Sequence, residues 1–520
     1  MQTICGRSKA TGKIAEDAWA APQAVSDIYI RPMPQPIPPA TPERLLAEQE
    51  LSRAAGAPLL IGNAVDLLID AAAHYEAWLK CIRRAQRRVL LENYIVRDDE
   101  VGREFRDALS ERARAGVCVA VIIDWLGCLG QSRSRFWAPL RAAGGQVRVF
   151  NPPRLGEPFG WISRDHRKLL VVDGAEGFLS GVCISAKWLG NPTRNVPPWR
   201  DTGLALRGPA VAELEAAFAD SWNGLGTTLD TLLPVPAPAE PPGSVALRVI
   251  ASASARFGLY RFDQLIASMA RDRLWLTDAY FVGIAPYVQA LVSAACDGVD
   301  VRMLVPGSSD IPLIGRLSRT GYRPLLKAGI RVFEWNGSML HAKTAVADSH
   351  WARVGSSNLN IASWAGNREL DVAVEDTGFA QLIASQFEQD LQNATEIVLV
   401  QRRDGDGEQV RRNSARPPRV RGAGGSSSRA AAGALRIANS VGAALTHPRV
   451  LGEVSAVPLL LAAVLLAVLA GIAVLWPAWI GWPFAALAGW LALNLAIRGW
   501  RLRRRRHGAA THASDTSDST

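Results

Sequence analysis

Two stretches of this chain carry the same pattern of three chemically active residues. His-x-Lys-x4-Asp occurs as His166, Lys168 and Asp173 in RDHRKLLVVDG, and again as His341, Lys343 and Asp348 in LHAKTAVADS, 175 residues later. In each copy an apolar run ends at the aspartate, as in a strand that leads into a turn. With only seven histidines in 520 residues, two such copies in matching surroundings point to an internal duplication. The fold therefore has to accommodate one unit twice.

The order of elements around the motifs repeats as well. In the first copy, VDLLIDAAAHYEAWLKCIRRA has helical spacing, with Val65, Leu68, Ile69 and Ala73 on one face. RRVLLENYIV reads as a strand, VGREFRDALSERARAG as a helix closed by Gly116, and VCVAVIIDWLG as a buried strand ending at Asp124. In the second copy FDQLIASMARDR, YVQALVSAACDG and RLSRTGYRPLLKAG are helices, and LWLTDAYFV, VDVRMLVPG and IRVFEWNG are strands. Such alternation predicts an α/β fold of two repeats related by a pseudo-twofold axis, each a central mixed sheet flanked by helices. The expected organisation is a largely disordered extension over 1–54, a first half over 55–232, a Pro-rich linker over 233–244 (LPVPAPAEPPGS) and a second half over 245–400.

Beyond residue 400 the character changes. A basic, flexible linker is expected over 401–453, then an almost uncharged run over 454–497, then a basic tail over 498–520. Spanning a bilayer takes about 20 apolar residues, so the run predicts a transmembrane hairpin of about 454–475 and 478–497. Trp476, Trp479, Trp482 and Trp490 fit an interfacial belt, and arginines on both flanks put both ends in the cytoplasm. Pro477 and Pro483 leave a re-entrant hairpin as the alternative. From residue 401 onward there are 16 Arg, no Lys and six acids, which accounts for the whole net charge of +10 and leaves residues 1–400 formally neutral. A nucleic-acid enzyme carries its basic surface on the folded domain, so a membrane is the expected partner and nucleic acid is not. Six scattered cysteines form neither a CxxC motif nor a Cys/His cluster. No metal site, cofactor or disulfide framework is expected, and the compartment is a reducing one.

Residues i and i+2 of a strand share a face, so His166 and Lys168 point one way, as do His341 and Lys343. Imidazole beside ammonium suits a phosphate substrate: the lysines hold oxygens, one histidine attacks phosphorus, and the other donates a proton to the departing alkoxide. A nucleophilic histidine needs its second nitrogen oriented by a carboxylate. Asp201, in PPWRDTGLAL, and Glu369, in GNRELDVAV, follow the motifs at similar offsets. The expected sets are His166/Lys168/Asp201 and His341/Lys343/Glu369. Gly355, Ser356 and Asn358, in GSSNLN, are candidate substrate-binding residues. Asp173 and Asp348 complete the candidate catalytic list, with a turn-forming role as the competing reading. Asp124 and Asp310 follow strands and are weaker candidates. His74 and His350 lack matching surroundings. Phe159 and Trp161 suit either acyl chains or packing.

These stretches together resemble the phospholipase D superfamily over roughly residues 55–400, and are most similar to its bacterial cardiolipin synthases. The resemblance is carried by LLENYIVRDDEVG, GVCVAVIIDWLG, RDHRKLLVVDG, WRDTGLALRGPAVAELEAAFADSWN, AYFVGIAPYVQAL, VPGSSD and MLHAKTAVAD. It implies a two-step transfer without cofactor at the bacterial inner membrane. His166 would take a phosphatidyl group from phosphatidylglycerol, and His341 would act as acid and then as base for a second phosphatidylglycerol. It also implies Asp201 and Glu369 as histidine-orienting carboxylates, and Lys168, Lys343 and Asn358 as phosphate binders. The first half departs from the family pattern: Ser180, Gly181 and Cys183 stand where Gly, Gly/Ser and Asn are usual.

Overall fold

The computed structural model describes residues 42–132, 134–152, 163–226, 241–252, 257–311, 318–319, 321–401 and 408–412. The first half supplies β1 (Leu60–Ile69), β2 (Arg88–Asn93), β3 (Cys118–Asp124), β4 (Gln146–Phe150), β5 (Lys168–Val172), β6 (Glu176–Ser180) and β7 (Thr202–Arg207). The second supplies β8 (Val245–Ser252), β9 (Arg273–Thr277), β10 (Asp300–Pro306), β11 (Arg331–Trp335), β12 (Thr344–Ala347), β13 (Trp351–Gly355) and β14 (Glu369–Glu375), then β15 (Ala394–Gln401) and β16 (Glu408–Arg412). All join one 16-stranded sheet in the order β16-β15-β11-β10-β9-β12-β13-β14-β8-β1-β7-β6-β5-β2-β3-β4. Read outward from the β8–β1 seam, each half runs in the same order, and β15 and β16 extend one edge. β2-β3-β4 and β9-β10-β11 are parallel. The seam is antiparallel, with a register shift between Leu60 and Asn63.

The strands are apolar on both faces because both faces are covered. Leu90, Ala120, Ile122, Leu169 and Val171 join one core with the second half's Val346, Val354 and Val372, beneath helices Ala210–Asn223 and Thr377–Leu391. The alternate residues Val89, Leu91, Val119, Val121 and Ile123 face helices Asp70–Arg84, Glu100–Arg114 and Ala138–Ala142. In the second half Leu274, Leu276, Val301 and Met303 face helices Gly258–Met269, Ala285–Cys296 and Tyr322–Lys327.

Three expectations are corrected. Val65, Leu68 and Ile69 lie on β1 rather than on a helix, which begins only at Asp70. β1 is the seam strand, and ladders to both β7 and β8 outweigh a short helical spacing. Disorder was expected through residue 54, yet Pro42–Ala55 is helical. Leu51 and Ala55 enter the core with Leu259, Phe262 and Ile266, and Glu48 pairs with Arg248 at 2.6 Å. Residues 408–412, expected in the flexible linker, pair with β15. Among the described residues no helix is long and apolar enough to cross a membrane. The expected hairpin at 454–497 lies outside the described residues, as do Phe159 and Trp161.

Candidate active site

Each motif histidine sits just ahead of its strand, where the backbone reaches across to the other half. The His166 amide donates to the Arg368 carbonyl at 2.9 Å, and the Arg368 amide donates to Arg164 O at 2.7 Å. The related contact repeats this: His341 N donates to Arg200 O at 2.7 Å, and Arg200 N donates to Met339 O at 2.9 Å. In both cases the residue after the arginine is acidic, so the bridge delivers a carboxylate of one half to the histidine of the other.

The side chains follow. His166 Nδ1 lies 2.9 Å from Glu369 Oε2, and His341 Nδ1 lies 2.7 Å from Asp201 Oδ2. The expected sets are therefore crossed: His166 with Glu369, His341 with Asp201. The cause is topological. β13 packs across β6 and β7, so the halves meet face to face beyond the seam, and the residues ahead of β5 and β14 pair directly. Offset along the chain carries no record of that.

Both carboxylates are fully buried and held by further donors. Glu369 accepts from Ser356 Oγ at 2.6 Å and Asn367 Nδ2 at 3.1 Å. Asp201 accepts from Thr202 N at 2.9 Å and Trp188 Nε1 at 3.3 Å. The hydroxyl of Ser356, expected to touch substrate, is thus engaged with Glu369. Gly355 also has a packing reason: a Cβ there would meet Asp371 Oδ1 at 2.1 Å. Asn358 is buried, and its Oδ1 has no hydrogen-bond partner among the described residues. At the equivalent place, Cys183 is fully buried, and burial pushes its thiol up. Lys168 and Lys343 each donate to the carbonyl of their own motif histidine.

Asp173 and Asp348 are not brought to the site. They follow the far ends of β5 and β12 with φ of 56° and 51°. Asp173 accepts from the amides of Gln86, Arg87 and Arg88, and Asp348 from those of Arg271, Asp272 and Arg273. Each ties the turn after its strand to the start of β2 or β9. β5 has five residues and β12 four, about 17 and 13 Å of strand, so each aspartate sits a strand's length from its histidine, in line with the turn-forming reading. Asp124 is buried and accepts from Asp165 N at 3.0 Å and Arg164 Nη1 at 3.2 Å, which steadies the approach to His166. His74 is buried against the Asp70 carbonyl at 2.6 Å.

Several neighbours escaped the sequence reading. The Tyr94 ring packs edge-on to His166 at 4.9 Å, and Tyr280 packs edge-on to His341 at 5.9 Å. Each closely follows a strand, Tyr94 one residue past β2 and Tyr280 three residues past β9. Trp188 and Trp199 both lie 5.6 Å from His341, and nothing short of the fold would have found them.

Burial lowers the basicity of both imidazoles, His166 to about 4 and His341 to about 3. Burial likewise lowers Lys343 to about 8, and lowers Lys168. For Asp201 and Glu369 burial works the other way. The facing histidines and lysines outweigh it and hold both carboxyls below the usual range. With both histidines neutral, two ammoniums and two carboxylates leave the cluster without net charge. Each Nδ1–H then donates to its carboxylate and leaves the Nε2 lone pair free. Two oriented imidazoles between two lysines can bind an anion, attack it and shuttle a proton.

A family model described as "Cardiolipin synthase, PLD-like domain" matches residues 264–391. Over 356 residues the chain is 34% identical to cardiolipin synthase A of Pseudomonas aeruginosa, covering 68% of this chain and 72% of that one. It is 31% identical over 346 residues to the cardiolipin synthase of Alkalihalophilus pseudofirmus, covering 65% of this chain and 68% of the relative. Among solved structures, a phosphatidylserine synthase from Haemophilus influenzae Rd KW20 shares the fold, with a TM-score of 0.51 and 15% identity, over 67% of this chain and 91% of that chain.

Proposed function

Since the chain belongs to the cardiolipin synthases of the phospholipase D type, we propose that it is a membrane-bound phosphatidyltransferase that makes cardiolipin from two molecules of phosphatidylglycerol through a phosphohistidine. The observation that carries this reading is the crossed pair of buried histidine–carboxylate contacts, at 2.9 and 2.7 Å, flanked by two lysines.

His166 is the nucleophile in this reading. Its side chain is 11% exposed against 5% for His341, so it is the more open to an incoming phosphate. Its Nε2 attacks phosphorus, the bond from phosphorus to the glycerol oxygen breaks, and protonated His341 gives its proton to that oxygen. A diester brings one negative charge into a cluster that is otherwise neutral, and that charge favours protonation of one imidazole. Lys168, Lys343 and Asn358 face the nonbridging oxygens, where charge grows in the transition state. In the second step neutral His341 takes the proton of the acceptor hydroxyl, the new O–P bond forms and the N–P bond breaks. Neither half is complete alone, since each supplies the carboxylate for the other's histidine.

The hairpin expected at 454–497 and its flanking arginines support attachment to the inner membrane with the catalytic region on the cytoplasmic side. The deciding experiment is lipid mass spectrometry after incubation of the full-length enzyme with labelled phosphatidylglycerol and a panel of alcohols. Cardiolipin as the main product is expected. Phosphatidic acid alone would make the protein a phospholipase, and transfer to ethanolamine in preference would replace the acceptor.

A further inference from the structure

The two halves match closely at their histidines, lysines and tyrosines, and differ sharply in what surrounds His341. The Tyr280 ring beside His341 turns its hydroxyl to Asp310, donating to Oδ1 at 2.7 Å. Asp310 Oδ2 lies 3.6 Å from Lys187 Nζ. That ammonium rests over the Trp199 ring at 4.0 Å, and Trp199 in turn packs against His341 at 5.6 Å. Two separate routes thus lead from His341 outward to one ion pair. Its members are 28% and 25% exposed, so it stands at the rim rather than in the core.

Among the described residues neither the ion pair nor Trp199 has a counterpart beside His166. β3 and β10 align at Asp124 and Pro306, each paired to the last residue of its parallel neighbour, Phe150 or Trp335. Counting on from there sets Asp310 against Cys128, a buried thiol next to the Tyr94 carbonyl. β6 ends at Ser180 and β13 at Gly355, which sets Lys187 against Ala362 and Trp188 against Ser363. Trp199, two residues ahead of Asp201, answers to Asn367 ahead of Glu369. Among the described residues the pseudo-symmetry is broken on the side of His341, by one cation, one anion and two indoles.

Resting on the reaction proposed above, we infer that Lys187 and Asp310, walled by Trp199 and Tyr280, form the subsite for the alcohol portion of the substrate. They select a polyol whose neighbouring carbon carries a second hydroxyl. The chemistry of the two steps places one and the same group there. The departing glycerol takes a proton from His341, and the arriving glycerol gives one to it, so both lie on that histidine's side. Asp310 accepts from the hydroxyl next to the reacting one. Lys187 faces the phosphate that the acceptor phosphatidylglycerol carries at the far end of its glycerol. A water molecule or a simple alcohol offers neither contact.

The test uses full-length enzyme in detergent–phosphatidylglycerol mixed micelles with 1-propanol and 1,2-propanediol as competing acceptors, which differ only in the second hydroxyl. Products are counted in one vessel by lipid mass spectrometry. Their ratios come from the same folded molecules, so partial misfolding of a variant does not distort them. The wild type is expected to favour the diol over propanol, and Asp310→Ala to lower that preference about tenfold, the lower end for a hydrogen bond to a charged group. Lys187→Gln is expected to lower cardiolipin relative to phosphatidylpropanediol by a similar factor. Wild-type ratios in both variants would overturn the subsite. Absence of cardiolipin from the wild type, with the diol preference still lost in Asp310→Ala, would instead refute the synthase reading and leave the polyol subsite standing.

Discussion

The crossed carboxylates make a prediction that uncrossed ones do not. Glu369 serves His166, the proposed nucleophile, while Asp201 serves His341, the proposed acid and base. Replacing Glu369 by Gln removes a fully buried charge that accepts from His166 Nδ1 at 2.9 Å. A hydrogen bond to a charged group is worth about 1.5–3 kcal/mol, which is about 10- to 150-fold in rate. The amide can also donate to Nδ1, which reverses the tautomer and turns the Nε2 lone pair into an N–H. In the serine-protease triad the corresponding change costs about 10⁴-fold, so Glu369→Gln should fall between about 10² and 10⁴. Asp201→Asn should cost as much with phosphatidylglycerol, whose glycerol must leave as a protonated alcohol. The two separate when the leaving group needs no proton. With a p-nitrophenyl phosphodiester, the first-step burst of nitrophenolate should recover at least tenfold in Asp201→Asn and stay depressed in Glu369→Gln. The assay is stopped-flow absorbance under single-turnover conditions. Equal recovery in both variants, or recovery in Glu369→Gln alone, would refute the assignment of each carboxylate to the opposite histidine.

Other consequences are as specific. Asp173→Ala removes a carboxylate that holds three backbone amides, so it should lower stability by about 1–3 kcal/mol in urea unfolding while kcat/KM per folded molecule stays within a factor of about three; a thousandfold loss in kcat/KM would restore Asp173 to the catalytic list. Gly181→Ala would set a Cβ at 2.3 Å from Asp201 Oδ1. It should therefore displace the partner of His341 and impair turnover of phosphatidylglycerol more than of the nitrophenyl ester, as steady-state rates on the two substrates will show. Burial lowers the folded pKa values of His166 and His341 to about 4 and about 3, against 6.5 in the unfolded chain. Between pH 6.5 and these values the unfolded state binds more protons, so their contribution to stability is present above 6.5 and lost as pH falls. The double variant His166→Asn/His341→Asn should show a shallower loss over that window in denaturant titrations. Lys343, lowered by burial to about 8, must carry its proton to hold phosphate, so kcat/KM should decline as pH rises through about 8.

Much of this architecture was legible because duplication writes itself into sequence. Two His-x-Lys copies, the strand ending at Asp124 and the helix closed by Gly116 all fall where periodicity and turn residues set them. The site residues His166, Lys168, His341, Lys343, Asp201 and Glu369 do converge, since their types were chosen for shared chemistry. What failed was whatever depends on how chain segments meet. Val65 to Ile69 look helical until β1 is seen to pair with β7 along that stretch. Ser356 looks like a phosphate donor until its hydroxyl is found on Glu369. The motif aspartates look catalytic because they sit in the signature, yet strands of five and four residues carry them away from the histidines.

In the proposed mechanism the crossing also explains how a duplicated unit tells two steps apart. Were each histidine served by its own half, the two sites would be copies, and either could attack. Because each depends on the other half, a change in one half alters the opposite histidine. Trp188 and Trp199 belong to the first half and pack on His341 of the second, leaving it the more enclosed of the two. The same two residues' counterparts, Ser363 and Asn367, leave His166 with Tyr94 as its aromatic neighbour among the described residues. An enclosed imidazole suits proton transfer to an oxygen held in place, and a more open one suits in-line attack on phosphorus. In the proposed mechanism, divergence of this kind in the first half divides the labour between two like motifs. That division rests on the inter-half contacts, not on the motifs themselves.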